Sequence, residues 1–486
     1  MLARLRPYVL LFLGLNVVYH ANLRPVDSGD SLPASLIPLS VMLDHSVTLD
    51  RFAPWLKGHV WYTRSVIQEA HGHYFSHYPI GGPILASPLY LPVALLGLRG
   101  WDPGTLATFA RIAQKLTASA IAALSAVVLL ALLKRITSAP WAWCLTLVYA
   151  LATETWSISS QALWQHGPGE LVIIASLYGL ERWSVDRSRE RWLWLSGVCA
   201  AAAFTIRPTN IVLVLALAAA LWTAHATIAQ QIRLLVAPVI VGSLLGAYNW
   251  YVFHRLSGGY AVTQVKGSIL MDLAGLLLSP ARGLLIYTPV ALFALCAFFR
   301  GASEVRRGHK PLLIAAVAFL ILESAAIAGS MVISRSIVWW GGYCWGPRML
   351  TELVPPLIVL MAFGVSVIER PWPRAAFAAL VLYSVLIQAL GVFFYPHGHW
   401  DAGPPSVDAA PGRVWDWRDN PIARTLSGGF YWEPYAVARA AIQGGFPAAE
   451  RRLGELNLSP NEEAKPIDIK SKRVPKKLSP ESRGLP

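Results

Sequence analysis

This sequence has little charge. Asp, Glu, Lys and Arg make up 14% of its 486 residues, where a soluble domain carries about 25%. That shortage excludes a chain of water-covered domains. Acid is the scarcer sign, with 27 Asp and Glu against 41 Lys and Arg and a formal net charge of +14. In a soluble chain the excess would point to nucleic acid. Here the basic residues stand in short segments between apolar blocks, where Lys and Arg anchor cytoplasmic loops, and nucleic acid is not an expected partner. Cysteine is also scarce. Cys144, Cys199 and Cys296 fall inside apolar blocks, Cys344 lies in a Trp- and Gly-rich segment, and no Cys-x-x-Cys or Cys/His spacing occurs. A disulfide framework and a zinc site are both excluded on that ground. An internal repeat of the kind expected for secondary transporters is missing. No small-residue cleavage site follows the apolar run 1–20, which therefore reads as an uncleaved first helix.

What is present is apolar mass in long blocks. The chain is 55% hydrophobic, with a mean hydropathy of +0.47. Blocks of about 20 apolar residues match the thickness of a bilayer core. The 20 Trp and 17 Tyr suit aromatic belts at two interfaces. The expected fold is an all-α polytopic membrane protein with about eleven transmembrane helices, at 5–22, 111–133, 139–157, 168–183, 192–206, 208–224, 234–253, 284–300, 311–333, 350–368 and 375–394. With the N-terminus in the cytoplasm, one side receives Lys134-Arg135, Arg182 to Arg191, Arg233, Arg300 to Lys310, Arg370 and Arg374. Every short loop on that side is then basic, as the positive-inside rule requires.

The stretch 78–98 is long enough to span, but Pro79, Pro83, Pro88 and Pro92 break helices. Making it a span would also move the basic loops outside. It is expected to be juxtamembrane or re-entrant, packed against protein. The organisation that follows is a membrane domain over 1–395 with a large outer loop at 22–110. A Trp-rich outer segment follows at 396–456, then a basic, disordered tail at 457–486. The C-terminus falls outside.

The residues with chemistry gather on the outer side. Asp27 and Asp30 stand just after the first helix. They suit a general base or a cation ligand at the membrane–water boundary, and Asp30 equally suits a helix N-cap. His71, His73 and His77 with Tyr78 lie in HGHYFSHYPIGGP. The His-x-His pair suggests a metal only weakly, and polar residues lining a substrate cleft are the favoured reading. Gly81-Gly82 permits close backbone approach to a ligand or forms a plain turn. Glu154, His166 and Glu170 lie at the membrane boundary, as interfacial polar groups or functional ones. Arg207, Arg282, Arg335 and Arg348 are outer arginines that the positive-inside rule does not explain. Their planar donors suit phosphate; the alternative is snorkelling. Glu352 follows Arg348 by one turn, where an i,i+4 ion pair is the plain reading.

Together these features resemble the GT-C superfamily, multi-spanning glycosyltransferases that use polyprenyl-phosphate sugars. The segments that carry the resemblance are GDSLPASLIPLS, HYPIGGP and WGGYCWGPR, and it covers about residues 5–395. It implies that an acidic residue of the first outer loop serves catalysis, Asp30 or Asp27. The spacing of the two departs from the family's DxD or ExD pattern. It implies a polyprenyl-phosphate or polyprenyl-diphosphate sugar donor and a lipid, glycan or protein acceptor. Substrate contacts would come from Arg207, Arg282, Arg348, Glu352, His77, Tyr78, His166 and Glu154. A divalent cation is the one cofactor the carboxylates admit. The expected location is the bacterial inner membrane. A lipid-linked glycan polymerase or ligase, or a polytopic transporter with Glu323 at the midplane, are the rival classes.

Overall fold

A computed structural model describes residues 2–24, 28–58, 66–91, 98–260, 268–299, 307–333, 338–395, 399–403 and 405–458. Asp27, Arg335, the segment 92–97 and the basic tail beyond 458 lie outside the described residues.

Within the described residues, the expected spans are helices or runs of short helices. The first helix, α1, is Leu2–His20. The loop expected on the outer side then forms α2, Ser31–Asp44, and α3, Gly81–Ala86. The membrane part continues with α4, Pro103–Ile136, and α5, Ala139–Leu151. Next come α6, His166–Val185, and α7, Arg191–Ile206. They are followed by α8, Val212–Thr223, and α9, Ile228–Phe253. Short helices fill 284–299, before α10, Lys310–Ile333, and α11, Val354–Phe363. The last long helix of the bundle is α12, Pro371–Phe393. Among the described residues, four helical stretches are long and apolar enough to cross a bilayer by length and composition alone: Pro103–Ile136, Ile228–Phe253, Lys310–Val332 and Pro371–Phe393.

Local sequence explains the starts. Asp102 caps α4 by accepting from Gly104 N at 3.0 Å and Thr105 N at 3.1 Å, with Pro103 at the first position where its missing N–H costs nothing. Thr227 and Gln230 close a reciprocal capping box on α9. At 1.5 Å per residue α4 is about 50 Å long, well beyond a bilayer core of about 30 Å. The surplus supports the outer loop. Leu32, Leu36, Leu39 and Phe52 of that loop form a core with Leu106, Ala107 and Ala110 of α4. On α9 the apolar window is only 17% buried, and Val239, Ile240 and Leu244 point outward, the pattern of a lipid-facing helix.

Two expectations change in the outer loop. The all-α reading lacked an antiparallel hairpin, β1 Ile67–Ala70 and β2 His73–Ser76. Its turn is His71-Gly72, both at positive φ, the backbone of a two-residue turn whose twist matches the strands. The His-x-His pair, a weak metal candidate, is divided by that turn. The ring of His71 stacks on Tyr251 at 4.2 Å, while His73 Nδ1 lies 2.7 Å from Asp50 Oδ2. The Gly81-Gly82 pair is not an opening for a ligand. A Cβ at Gly81 would stand 2.3 to 2.6 Å from Thr205 atoms at the end of α7, so this glycine lets α3 sit against that helix. The stretch 78–98 is broken as its prolines require. Its described part is α3 followed by the single turn Ser87–Tyr90, too short to span.

The chain divides into two compact units, Met1–Tyr431 and Trp432–Pro486. The boundary thus falls later than the 395 expected from composition. Trp400, Val407 and Val414 are buried together with Ala281, and Tyr431 N donates to Phe393 O at 3.0 Å. The described part of the second unit is a helix, Glu433–Leu458, kinked at Gly445, where φ is +68°.

Candidate active site

Asp30 holds the N-cap position of α2, yet its side chain accepts no backbone N–H. The carboxylate turns instead toward three other parts of the chain. Ser28 Oγ donates to Oδ1 at 2.8 Å and Trp164 Nε1 donates to Oδ1 at 3.1 Å. Arg348 Nη1 donates to Oδ2 at 2.6 Å. Burial works to raise the Asp30 carboxyl, but the Arg348 charge and the Ser28 hydrogen bond outweigh it and hold it below its usual value. Arg348 is shifted upward: burial opposes its charged form and the Asp30 charge more than compensates. Both partners therefore stand ionised.

Arg348 is aimed by its neighbours. Its Nη2 donates to Gly341 O at 2.8 Å, and its guanidinium carbon lies 5.5 Å from the centre of the Trp164 ring. The carbonyl comes within reach because Gly341 and Gly346 adopt left-handed backbone, φ +70° and +63°. A Cβ at Gly346 would stand 2.8 Å from the Tyr287 ring, so the loop needs glycine there twice over. Arg348 Nε is buried without a partner among the described residues, a donor left for something else.

A second cluster, on His166, Arg207 and Glu352, is buried. His166 Nδ1 lies 3.0 Å from Glu352 Oε1, and Arg207 forms an ion pair with the other carboxylate oxygen. Arg207 Nη1 also donates to Met349 O at 3.1 Å. The i,i+4 pair expected between Arg348 and Glu352 is not formed. The segment 348–353 is a tighter 3-10 turn, and each of its two charged side chains reaches a partner far away in sequence. Glu352 lies in van der Waals range of α6 at Gly169, whose added Cβ would meet Glu352 Cγ at 3.4 Å.

The remaining expected residues go elsewhere. Arg282 is 1% exposed and spends its donors on Trp340 O, Gly342 O and Ala281 O besides an ion pair with Asp401. It fastens the 338–346 loop to the segment after α12. Glu154 accepts from Thr288 Oγ1 at 2.6 Å and Glu170 from Thr155 Oγ1 at 2.8 Å, both buried in the bundle. Glu323 on α10 accepts from Thr209 Oγ1 at 2.6 Å. His77 and Tyr78 line a groove with Phe204, Tyr248, Phe253 and Tyr260. That groove runs along the lipid-facing α9, and burial and then the Asp30 charge raise the Tyr78 hydroxyl in its wall.

Sequence reasoning missed Ser28, Trp164, Tyr260 and, at a second cavity, Arg24 and Gln161. That cavity is lined by Arg24, Ser157, Gln161, Trp164, Cys344, Trp345 and Tyr395. Trp164 thus stands between it and Asp30. Ser157 and Gln161 come from the turn 155–161, which opens with a π-helical stretch at Thr155–Ser159, a bulge often found at functional sites. Among the described residues no group of three His, Cys, Asp or Glu side chains is placed to hold a metal. The Asp30 carboxylate is surrounded by guanidinium, indole and hydroxyl donors, a set that suits an anion's counterpart rather than a cation's ligand.

A long helical loop after α1 and a polytopic apolar bundle make up an all-α membrane fold. The chain is similar to the crystal structure of ArnT from Cupriavidus metallidurans bound to undecaprenyl phosphate, at 14% identity and a TM-score of 0.54, covering 94% of this chain and 75% of that one. The apo state of the same protein matches at 15% identity and a TM-score of 0.47, covering 92% of this chain and 72% of that one. No family model matches the sequence, and no curated protein does.

Proposed function

We propose that this protein transfers a sugar from a polyprenyl-phosphate or polyprenyl-diphosphate carrier to an acceptor at the outer face of the bacterial inner membrane. The observation that carries the reading is the Asp30–Arg348 pair at 2.6 Å, set between two clefts. The fold likeness to a protein crystallised with undecaprenyl phosphate supports a carrier of that class.

In the reaction, Arg348 binds the carrier phosphate through its unpaired Nε and the donor it now gives Asp30. The phosphate therefore competes with the carboxylate for the guanidinium. Asp30 loses its countercharge at the moment the donor is seated, and its basicity rises. It then takes the proton of an acceptor hydroxyl. The acceptor oxygen bonds to the anomeric carbon on the face opposite the phosphate, the carbon–oxygen bond to phosphate breaks, and the phosphate leaves with the electron pair, held by Arg348. The sugar is transferred with inversion. The groove along α9 takes the first carrier units, with Tyr78 and Tyr260 toward the sugar. The buried Arg207–Glu352–His166 cluster fixes the register of the 348–353 turn and so the position of Arg348. No step is assigned to a metal ion, because the donor set at Asp30 does not fit one.

The test is release of carrier. Purified protein in nanodiscs is incubated with short-chain polyprenyl-phosphate hexoses and pentoses and with extracted envelope lipids and glycans. Release of polyprenyl phosphate with appearance of a glycosylated product supports the reading. A protein that neither binds polyprenyl phosphate nor releases it from any donor overturns it.

A further inference from the structure

Four basic side chains are nearly inaccessible among the described residues: Arg24, Lys115, Arg207 and Arg282. Arg207 is answered by Glu352 and Arg282 by Asp401. Arg24 and Lys115 have no carboxylate partner among the described residues. The Arg24 guanidinium donates to one carbonyl, Tyr395 O, and lies 5.5 Å from the centre of the Tyr431 ring. Lys115 Nζ donates to Ser160 O at 3.2 Å and to Gln161 Oε1 at 2.7 Å. Neutral groups join the Lys115 ammonium to the main-chain N–H of Arg24. Gln161 Oε1 also accepts from Asn22 Nδ2 at 2.8 Å, and Asn22 Oδ1 accepts from Arg24 N at 3.4 Å.

Burying a cation without an opposite charge is costly. Arg24 and Lys115 are also near enough for their charges to repel each other through space. The fold keeps them beside a cavity, and Arg24 and Gln161 both line it. We propose that this cavity is an oxyanion subsite that seats a phosphate group of the acceptor, with Arg24 in contact and Lys115 supplying charge from behind Gln161. The cavity volume of about 20 Å³ takes one oxygen-sized group. One phosphate oxygen is therefore seated, and the rest of the acceptor extends past Trp164. Trp164 is the shared wall: it lines this cavity and donates to Asp30. An acceptor anchored by its phosphate would thus bring a neighbouring hydroxyl toward the Asp30 carboxylate, on the side of Trp164 away from the groove assigned to the carrier. That the occupant is the acceptor rests on the proposed transfer reaction; that the cavity takes an oxyanion does not.

The experiment uses the full chain in nanodiscs of zwitterionic lipid, titrated separately with inorganic phosphate and with a short-chain polyprenyl phosphate. Binding is read as thermal stabilisation. Inorganic phosphate is expected to stabilise the wild type. Arg24→Gln and Lys115→Met should each weaken that response by about tenfold, the loss of one charge-assisted hydrogen bond or its equivalent. Both should leave the polyprenyl-phosphate response unchanged. Lys115→Met should also melt higher than wild type without ligand, because it removes a buried charge, whereas a residue with only a structural role would melt lower when replaced. If Arg24→Gln does not fold, Lys115→Met decides. Unchanged phosphate response in Lys115→Met overturns the subsite. Equal loss of the polyprenyl-phosphate response assigns the cavity to the donor and overturns the acceptor. A wild type that binds inorganic phosphate here but never binds polyprenyl phosphate separates the two readings: the oxyanion cavity stands and the transferase does not.

Discussion

Asp30 and Arg348 lie 318 positions apart in the chain and meet at 2.6 Å, Arg348 Nη1 donating to Asp30 Oδ2. The carboxylate's position at the start of α2 suggests a cap, but its bonds are to Ser28, Trp164 and Arg348. That distribution is what separates a cap from a base in the following variant.

Asp30→Asn is expected to reduce sugar transfer by about 10²- to 10⁴-fold, the usual worth of a general base. Donor binding should persist, since Arg348 loses a competitor for the phosphate. Helix α2 should be indifferent, because asparagine caps about as well as aspartate and no cap bond is present to lose. Transfer rate and carrier affinity measured on the same preparation check this. Full activity in both Asp27→Asn and Asp30→Asn would refute the assignment and turn attention to Glu154, His166 and Glu170.

Arg348 and Arg207 should respond differently. Arg348→Lys is expected to weaken donor use about tenfold or more through loss of a planar two-donor contact, with little change in stability. Arg207→Ala leaves Glu352 buried beside His166 with its strongest partner gone, and should cost about 3–5 kcal/mol of stability. The paired change Arg207→Met with Glu352→Leu should recover most of that loss, since removing both charges of a buried pair is often neutral. Chemical denaturation of the four proteins tests the contrast. Equal destabilisation by Arg348→Lys and Arg207→Ala would count against separate roles.

Acid should undo the Asp30–Arg348 pair. The folded Asp30 carboxyl is held below its ordinary value, so the unfolded chain binds the proton more readily. The stabilisation is therefore fully present above the unfolded value of about 3.9 and is lost as pH falls through the folded value. Wild type should melt above Asp30→Asn from about pH 5 upward, and the two curves should converge below about pH 4. Convergence at neutral pH instead would mean the pair contributes nothing.

The basic loops predict an orientation. Ser188 stands exposed in the turn between α6 and α7, beside Arg187 and Arg189. Glu69 stands exposed on β1. In intact cells Ser188→Cys should resist a membrane-impermeant maleimide and Glu69→Cys should react, with residues after α12 labelled from the outer side as well. Labelling of Ser188→Cys from outside would reverse the topology.

Much of the fold follows from the sequence alone. The apolar blocks determine where helices lie, because a bilayer core demands about 20 apolar residues and internally satisfied backbone. Prolines at 79, 83 and 88 determine that 78–91 cannot be one helix. The sequence also placed Asp30, Arg207, Arg348, His166 and Glu352 among the residues worth watching, since charge is rare in such a chain and costs most where it is buried. Partnership is what only the tertiary structure decided. Glu352 is one turn from Arg348 in sequence and pairs with Arg207; Arg348 pairs with Asp30; Arg282 is consumed by Asp401. The hairpin at 67–76 and the two buried cations without a carboxylate partner among the described residues, Arg24 and Lys115, were equally out of reach. Periodicity and composition act over neighbouring residues, whereas an ion pair forms wherever packing of the helices brings opposite charges within about 4 Å, and that packing is a property of the assembled bundle.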